Sequence, residues 1–133
     1  LLLARVGDRA DRSTIRSLGA RLLAGQNEGG GWGYRCPKTD ASILSKPDSI
    51  KREKGLGDNS CTQFGVLGLW VASRYGVPID DAMAEVAARF LNGQNEDGGW
   101  GYTPPSNEPA GENNPSASRN AMSCAGLFCL TVA

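Results

Sequence analysis

The chain has 133 residues, with 14 Lys and Arg against 14 Asp and Glu, which fits one domain with a single core and gives no overall field drawing it to nucleic acid or an anionic membrane. Its apolar runs are too short and too broken by glycine to span a bilayer. Histidine is absent, which excludes Ser-His-Asp and Cys-His nucleophiles, the His-based zinc sites and any imidazole base.

Residues 1–6 (LLLARV) followed by Gly7 read as the end of a helix closed by a left-handed glycine. The phrase returns at 70–76 (WVASRYG), where Arg74 matches Arg5 and Gly76 matches Gly7. From about 11 to 26 the apolar residues Ile15, Leu18, Leu22 and Leu23 fall at one-face helical spacing, opposed by Arg12 and Arg16. Residues 78–94 place Met83, Val86, Phe90 and Leu91 in the same register, sixty-eight residues on. Pro78 suits a first helical turn, and Asp80 and Asp81 complement the positive end of the helix dipole. Both segments are expected to be half-buried amphipathic helices. Each runs into a glycine-rich phrase, QNEGGGWGY at 26–34 and QNEDGGWGY at 94–102.

Residues 59–74 differ in kind, because Cys61, Phe64, Val66, Leu67, Leu69, Trp70 and Val71 leave no polar face. A helix apolar all round is expected to be buried all round, and Gly65, Gly68 and Ala72 keep this one narrow. Residues 120–133 repeat it, with Gly126, Leu127, Leu130, Val132 and Ala133 standing for Gly65, Val66, Leu69, Val71 and Ala72. The long connections at 35–58, rich in Lys and Arg, and 103–118, rich in Pro, Asn and Gly, read as insertions on an exposed face, or else as functional loops. The four cysteines at 36, 61, 124 and 129 form no C-x-x-C pair, and the last three lie in apolar runs as buried thiols.

The layout is the tail of an inner helix, then outer, inner, outer and inner helices. One repeat covers about 1–72 and a second about 73–133. The pattern starts and stops inside its own unit, so the expectation is a piece of a longer array whose uncovered faces favour self-association.

A helix ending in Gln, then a glycine turn and a Trp, with apolar or aromatic residues just upstream, resembles the QW repeat of squalene-hopene and oxidosqualene cyclases. The larger group also includes protein prenyltransferase β-subunits. The matching positions are Leu22, Leu23, Gln26, Gly31 and Trp32 in one copy and Phe90, Leu91, Gln94, Gly99 and Trp100 in the other. The resemblance implies an all-α fold of two helical hairpin repeats, a fragment of an α/α toroid whose inner helices line a cavity. Gln63, Phe64 and Trp70 are its cavity-lining candidates. In the family the Gln hydrogen-bonds the backbone at a neighbouring helix end while stacking on the Trp. Here that role falls to Gln26 with Trp32 and to Gln94 with Trp100, each copy followed by Tyr34 or Tyr102, as structural positions before ligand-binding ones.

The family's chemistry does not come with the scaffold. There is no Asp-x-Asp-Asp acid motif and no Asp-Asp-x-x-Asp metal motif, since Asp80-Asp81 is followed by Ala82-Met83-Ala84. A prenyltransferase zinc set needs His, and the Cys-Gly-Glu-Gln of thioester domains is absent. The glycines at 29–33 match neither phosphate-binding pattern, and the ligand order around Asn95 and Asp97 fails the calcium loop. The sequence therefore predicts no catalytic residue, no metal site and no cofactor. The leading reading is a non-catalytic structural or binding portion of a squalene cyclase/prenyltransferase-like repeat protein, whose parent acts on a polyprenyl-like substrate. The alternatives are a fragment of an active enzyme on the same toroid, a terpene cyclase or polysaccharide lyase, or a protein-interaction scaffold using the basic loop at 35–54. Expected partners are further repeats or a second copy and an apolar small molecule, with no nucleic acid and no transmembrane segment. No compartment is indicated.

Overall fold

The computed structural model describes residues 1–46, 50, 52–105 and 114–133. Parts of both long connections, at 47–49, 51 and 106–113, lie outside the described residues, and with them part of the basic loop. Among the described residues there are five α-helices and no strand.

Helix α1, Leu2–Val6, ends where Gly7 adopts φ 78 and its N–H closes back on Leu3. Asp8 then caps a 3-10 turn at Arg9–Asp11 by accepting from the Ala10 N–H. Helix α2, Arg12–Gly25, follows directly. The connection after it is not structureless: Asp40 caps a second 3-10 turn at Ala41–Ser45. Trp32 and Asp58 form an antiparallel bridge. Asp58 also starts α3, Asn59–Ser73, by accepting from the backbone N–H groups of Ser60 and Cys61. Gly76 repeats the left-handed closure of Gly7, at φ 77. Helix α4, Asp80–Asn92, begins two residues after Pro78, with both aspartates in its first turn. Helix α5, Asn120–Val132, is the last of those described.

Helix α3 packs against α2 on one side and α5 on another, and α4 packs on α5. The core between them joins Trp32, Val66, Leu69, Met83, Val86, Phe90, Trp100, Met122 and Cys129. Arg16 fastens α2 to the end of α3, donating to the carbonyls of Tyr75 at 2.6 Å and Gly76 at 2.9 Å. These carbonyls lie just past the helix C-terminus, where a cation complements the dipole.

Three expectations need correction. Helix α3 is not buried all round, since Phe64 and Trp70 are exposed, and in α5 Leu127 is exposed too. Their faces have no covering element among the described residues. Helices α2 and α4 bury a narrower stripe than the apolar positions suggest, with Leu18 and Leu91 in solvent. Of the cysteines only Cys129 is fully buried; Cys36 and Cys61 are half-buried, Cys124 is exposed, and all four are free thiols.

Candidate functional site

The two glycine-rich phrases fold into turns that make matching hydrogen bonds. In the first, Asn27 N–H donates to the Gly31 carbonyl at 2.9 Å and Gly30 N–H to the Asn27 carbonyl at 3.0 Å. In the second, Asn95 N–H donates to the Gly99 carbonyl at 2.9 Å and Gly98 N–H to the Asn95 carbonyl at 2.9 Å. Both turns need a left-handed residue at the same place, Gly30 at φ 72 and Gly98 at φ 80.

Each turn delivers a buried indole to the same set of partners. Trp32 Nε1 donates to the Leu22 carbonyl at 2.7 Å, and Trp100 Nε1 to the Phe90 carbonyl at 2.8 Å. Trp32 N–H donates to Thr62 Oγ1 at 3.1 Å, and Trp100 N–H to Ser123 Oγ at 3.2 Å. The ring lies on a glycine of the next helix: a Cβ on Gly65 would sit 2.6 Å from Trp32, and one on Gly126 would sit 2.8 Å from Trp100. Phe90 meets Trp100 edge-on, with centroids 6.2 Å apart. A large apolar ring whose one polar group is satisfied fastens α2 onto α3 at Trp32 and α4 onto α5 at Trp100.

The two glutamines differ. Gln26 is buried, and its Nε2 donates to Gly30 within its own turn at 3.1 Å and across to the Ala82 carbonyl in α4 at 2.9 Å. Gln94 is exposed, and its Nε2 donates to Gly98 at 2.8 Å. Gln26 thus reaches across to α4, while Gln94 makes only the bond within its own turn. Tyr34 and Tyr102 both point to solvent, and the Tyr102 carbonyl accepts from the Asn59 N–H.

A residue the sequence reading missed stands at the centre. Arg89 is buried, and its Nε donates to Asn59 Oδ1 at 2.9 Å and its Nη1 to the Gly29 carbonyl at 3.1 Å. Nη1 also donates to the Leu56 carbonyl. Asn59 in turn donates from Nδ2 to the Gly101 carbonyl at 2.9 Å. One guanidinium thereby joins the first glycine turn, the loop before α3 and, through Asn59, the second turn. Burial pushes Arg89 down to about 10, against the pull of Asp58, so it stays charged at neutral pH and its charge is carried by these acceptors. A signal was available: Arg21 and Arg89 occupy the same register of α2 and α4, beside apolar neighbours.

The cavity-lining candidates occupy the open side of α3. Gln63 is half-buried, Phe64 and Trp70 are exposed, and the Arg74 guanidinium lies 4.4 Å from the Trp70 ring centroid. They do not line the apolar cavity of about 360 Å³ found between α1, α2 and α3, whose walls include Leu1, Leu3, Leu18, Leu22, Gly68 and Val71. Asp80 and Asp81 sit exposed at the head of α4. Among the described residues no group of three or more His, Cys, Asp or Glu could hold a metal ion, and no helix is long and apolar enough to cross a membrane.

No family model, curated protein or solved structure matches this chain.

Proposed function

We propose that this chain is a non-catalytic portion of a squalene cyclase/prenyltransferase-like repeat protein, two helical hairpins of an α/α toroid, divided at about residues 1–72 and 73–133. Its role is to present the inner helices α3 and α5 to an elongated apolar ligand of the polyprenyl class. The observation that carries this reading is the strip each inner helix leaves accessible at the same register. On α3 it is Gln63, Leu67 and Trp70, and on α5 it is Cys124, Phe128 and Thr131, all exposed or half-buried. The spacing of four and then three residues puts each set on one helical face. Leu67, Trp70, Cys124 and Phe128 make those faces largely apolar, the lining expected where a hydrocarbon chain is bound.

The matched indole turns support the repeat part of the reading, since the same partners recur from the helix carbonyl to the glycine under the ring. The role is binding, with no step of chemistry assigned to Asp80 or Asp81.

Trp70 gives a direct test. Of the three tryptophans it alone is accessible, at 41% against 2% for Trp32 and 3% for Trp100. Farnesol titrated into the chain should give a saturable blue shift of tryptophan emission that Trp70→Phe abolishes, and gas chromatography should return the farnesol unchanged. Emission that does not respond, or conversion of the farnesol, would overturn the reading.

A further inference from the structure

The contacts that join the first turn to the second outer helix have counterparts whose partners are open. Gln26 donates to the Ala82 carbonyl; in the same registers stand exposed Gln94 and exposed Thr14. Arg89 donates to Asn59, which donates to the Gly101 carbonyl. Their counterparts are Arg21, half-buried with one long bond of 3.4 Å to the Pro37 carbonyl, exposed Asn120 and exposed Gly33. The apolar positions follow the same division. Val66 and Val86 are both 0% exposed in the one buried cluster, whereas their counterparts Leu127 and Leu18 are 61% and 46% exposed. Leu18 also lines the apolar cavity of about 360 Å³ beside α1.

Two open half-interfaces thus lie on one molecule, each equivalent to half of an interface already made inside it. One consists of Gln94, Asn120 and Leu127. The other consists of Thr14, Leu18, Arg21 and Gly33. The two halves are unlike, so they cannot pair with themselves across a two-fold axis. They can pair only with each other.

We propose that a second copy of this chain docks head to tail, its α2 laid across the second glycine turn of the first copy. Gln94 of one copy donates to the Thr14 carbonyl of the next, Arg21 of that next copy donates to Asn120 of the first, and Leu127 enters the cavity beside Leu18. The occupant is a second copy because the internal interface supplies both halves, in hydrogen-bond donors and acceptors as well as in apolar surface. The inference rests on the repeat reading and needs nothing from the apolar ligand. An interface of this kind continues past the dimer, to a ring or a filament.

Sedimentation velocity over a wide concentration range tests it, using two variants at exposed positions. Gln94→Glu replaces the amide donor with a carboxylate facing carbonyl oxygens, and Leu18→Glu puts a charge in the apolar half. Wild type should grow beyond a dimer with concentration. Each variant alone should associate at least about tenfold more weakly, and a mixture of the two should form a dimer of one of each, because each keeps the half the other has lost. Asn120→Arg, which sets a second guanidinium against Arg21, replaces Gln94→Glu if circular dichroism shows the turn disturbed.

A wild type that stays monomeric, variants that associate as wild type does, or a mixture no larger than its components would overturn the docking. Acrylamide quenching of Trp32 and Trp100 in a Trp70→Phe background separates this from failure of the repeat reading. Docking can fail with both indoles shielded, whereas an accessible indole overturns the repeat itself.

Discussion

Gln26 and Ala82 are joined by a 2.9 Å hydrogen bond from the Gln26 side-chain amide to the Ala82 backbone carbonyl, across the interval between the first glycine turn and the first turn of α4. The bond is buried, so either group left alone would be desolvated without a partner. It ties the turn that follows α2 to the first turn of α4. Gln94, with the same turn around it, makes no such tie.

The indoles should dominate stability. Trp100 is buried with its Nε1 satisfied by Phe90, and Trp100→Ala should cost roughly 3 to 5 kcal/mol. Trp70→Ala, with the residue 41% exposed on the open side of α3, should cost clearly less. Urea unfolding of the two variants checks the order, and equal losses would contradict the packing described.

Close approach of helix to ring predicts a pair of glycine effects. A Cβ at Gly65 would lie 2.6 Å from the Trp32 ring, while one at Gly33 meets nothing within 4 Å. Gly65→Ala should therefore cost about 1 to 3 kcal/mol from overpacking, despite the higher helix propensity of alanine. Gly33→Ala should be close to neutral. Thermal melts of both variants decide the point.

Arg89 predicts a larger loss than an ordinary helix arginine. Arg89→Met keeps the apolar stem but leaves Asn59 Oδ1 and the Gly29 and Leu56 carbonyls without their donor, at a cost of roughly 2 to 4 kcal/mol. Arg89→Lys should recover only part of this, because an ammonium does not reproduce the planar fork. Chemical denaturation that placed Arg89→Met level with wild type would remove Arg89 from the centre of the site.

Alkaline pH should act through Cys129. Burial pushes this thiol up to about 12 from 9.0, with Arg89 pulling it down. The folded chain then holds the proton while the unfolded chain releases it, so this contribution is fully present below pH 9 and is lost as pH rises toward about 12. The slope is at most about 1.4 kcal/mol per pH unit. The stability advantage of wild type over Cys129→Ala should hold below about pH 9 and shrink between about pH 9 and 12. An advantage that stays constant would contradict the assignment.

Much of this was legible in the sequence because it is local. Helical spacing gave α2 and α4, the left-handed closures at Gly7 and Gly76 followed from glycine after an apolar run, and the burial of Trp32 and Trp100 followed from a large ring beside small residues. What depends on tertiary surroundings was not legible. The sequence treats Gln26 and Gln94 alike, and only the presence of α4 beside one of them sets them apart. The apolar character of α3 suggested burial on every side, but composition cannot say which faces receive a neighbour, and Phe64 and Trp70 do not. Arg89 reads as a surface cation by residue type, and its burial depends on acceptors brought from two other stretches of the chain, Gly29 and residues 56–59.

The most direct measurement compares Gln26→Ala with Gln94→Ala in urea, at a dilution where the chain is monomeric. The turns match in their backbone bonds, but Gln26 is buried and tied to Ala82 whereas Gln94 is exposed and bonded only within its turn. Gln26→Ala should lose about 1 to 3 kcal/mol and Gln94→Ala less than about 0.5 kcal/mol. Equal losses, or a greater loss at Gln94, would contradict the claim that Gln26 fastens the first glycine turn to α4.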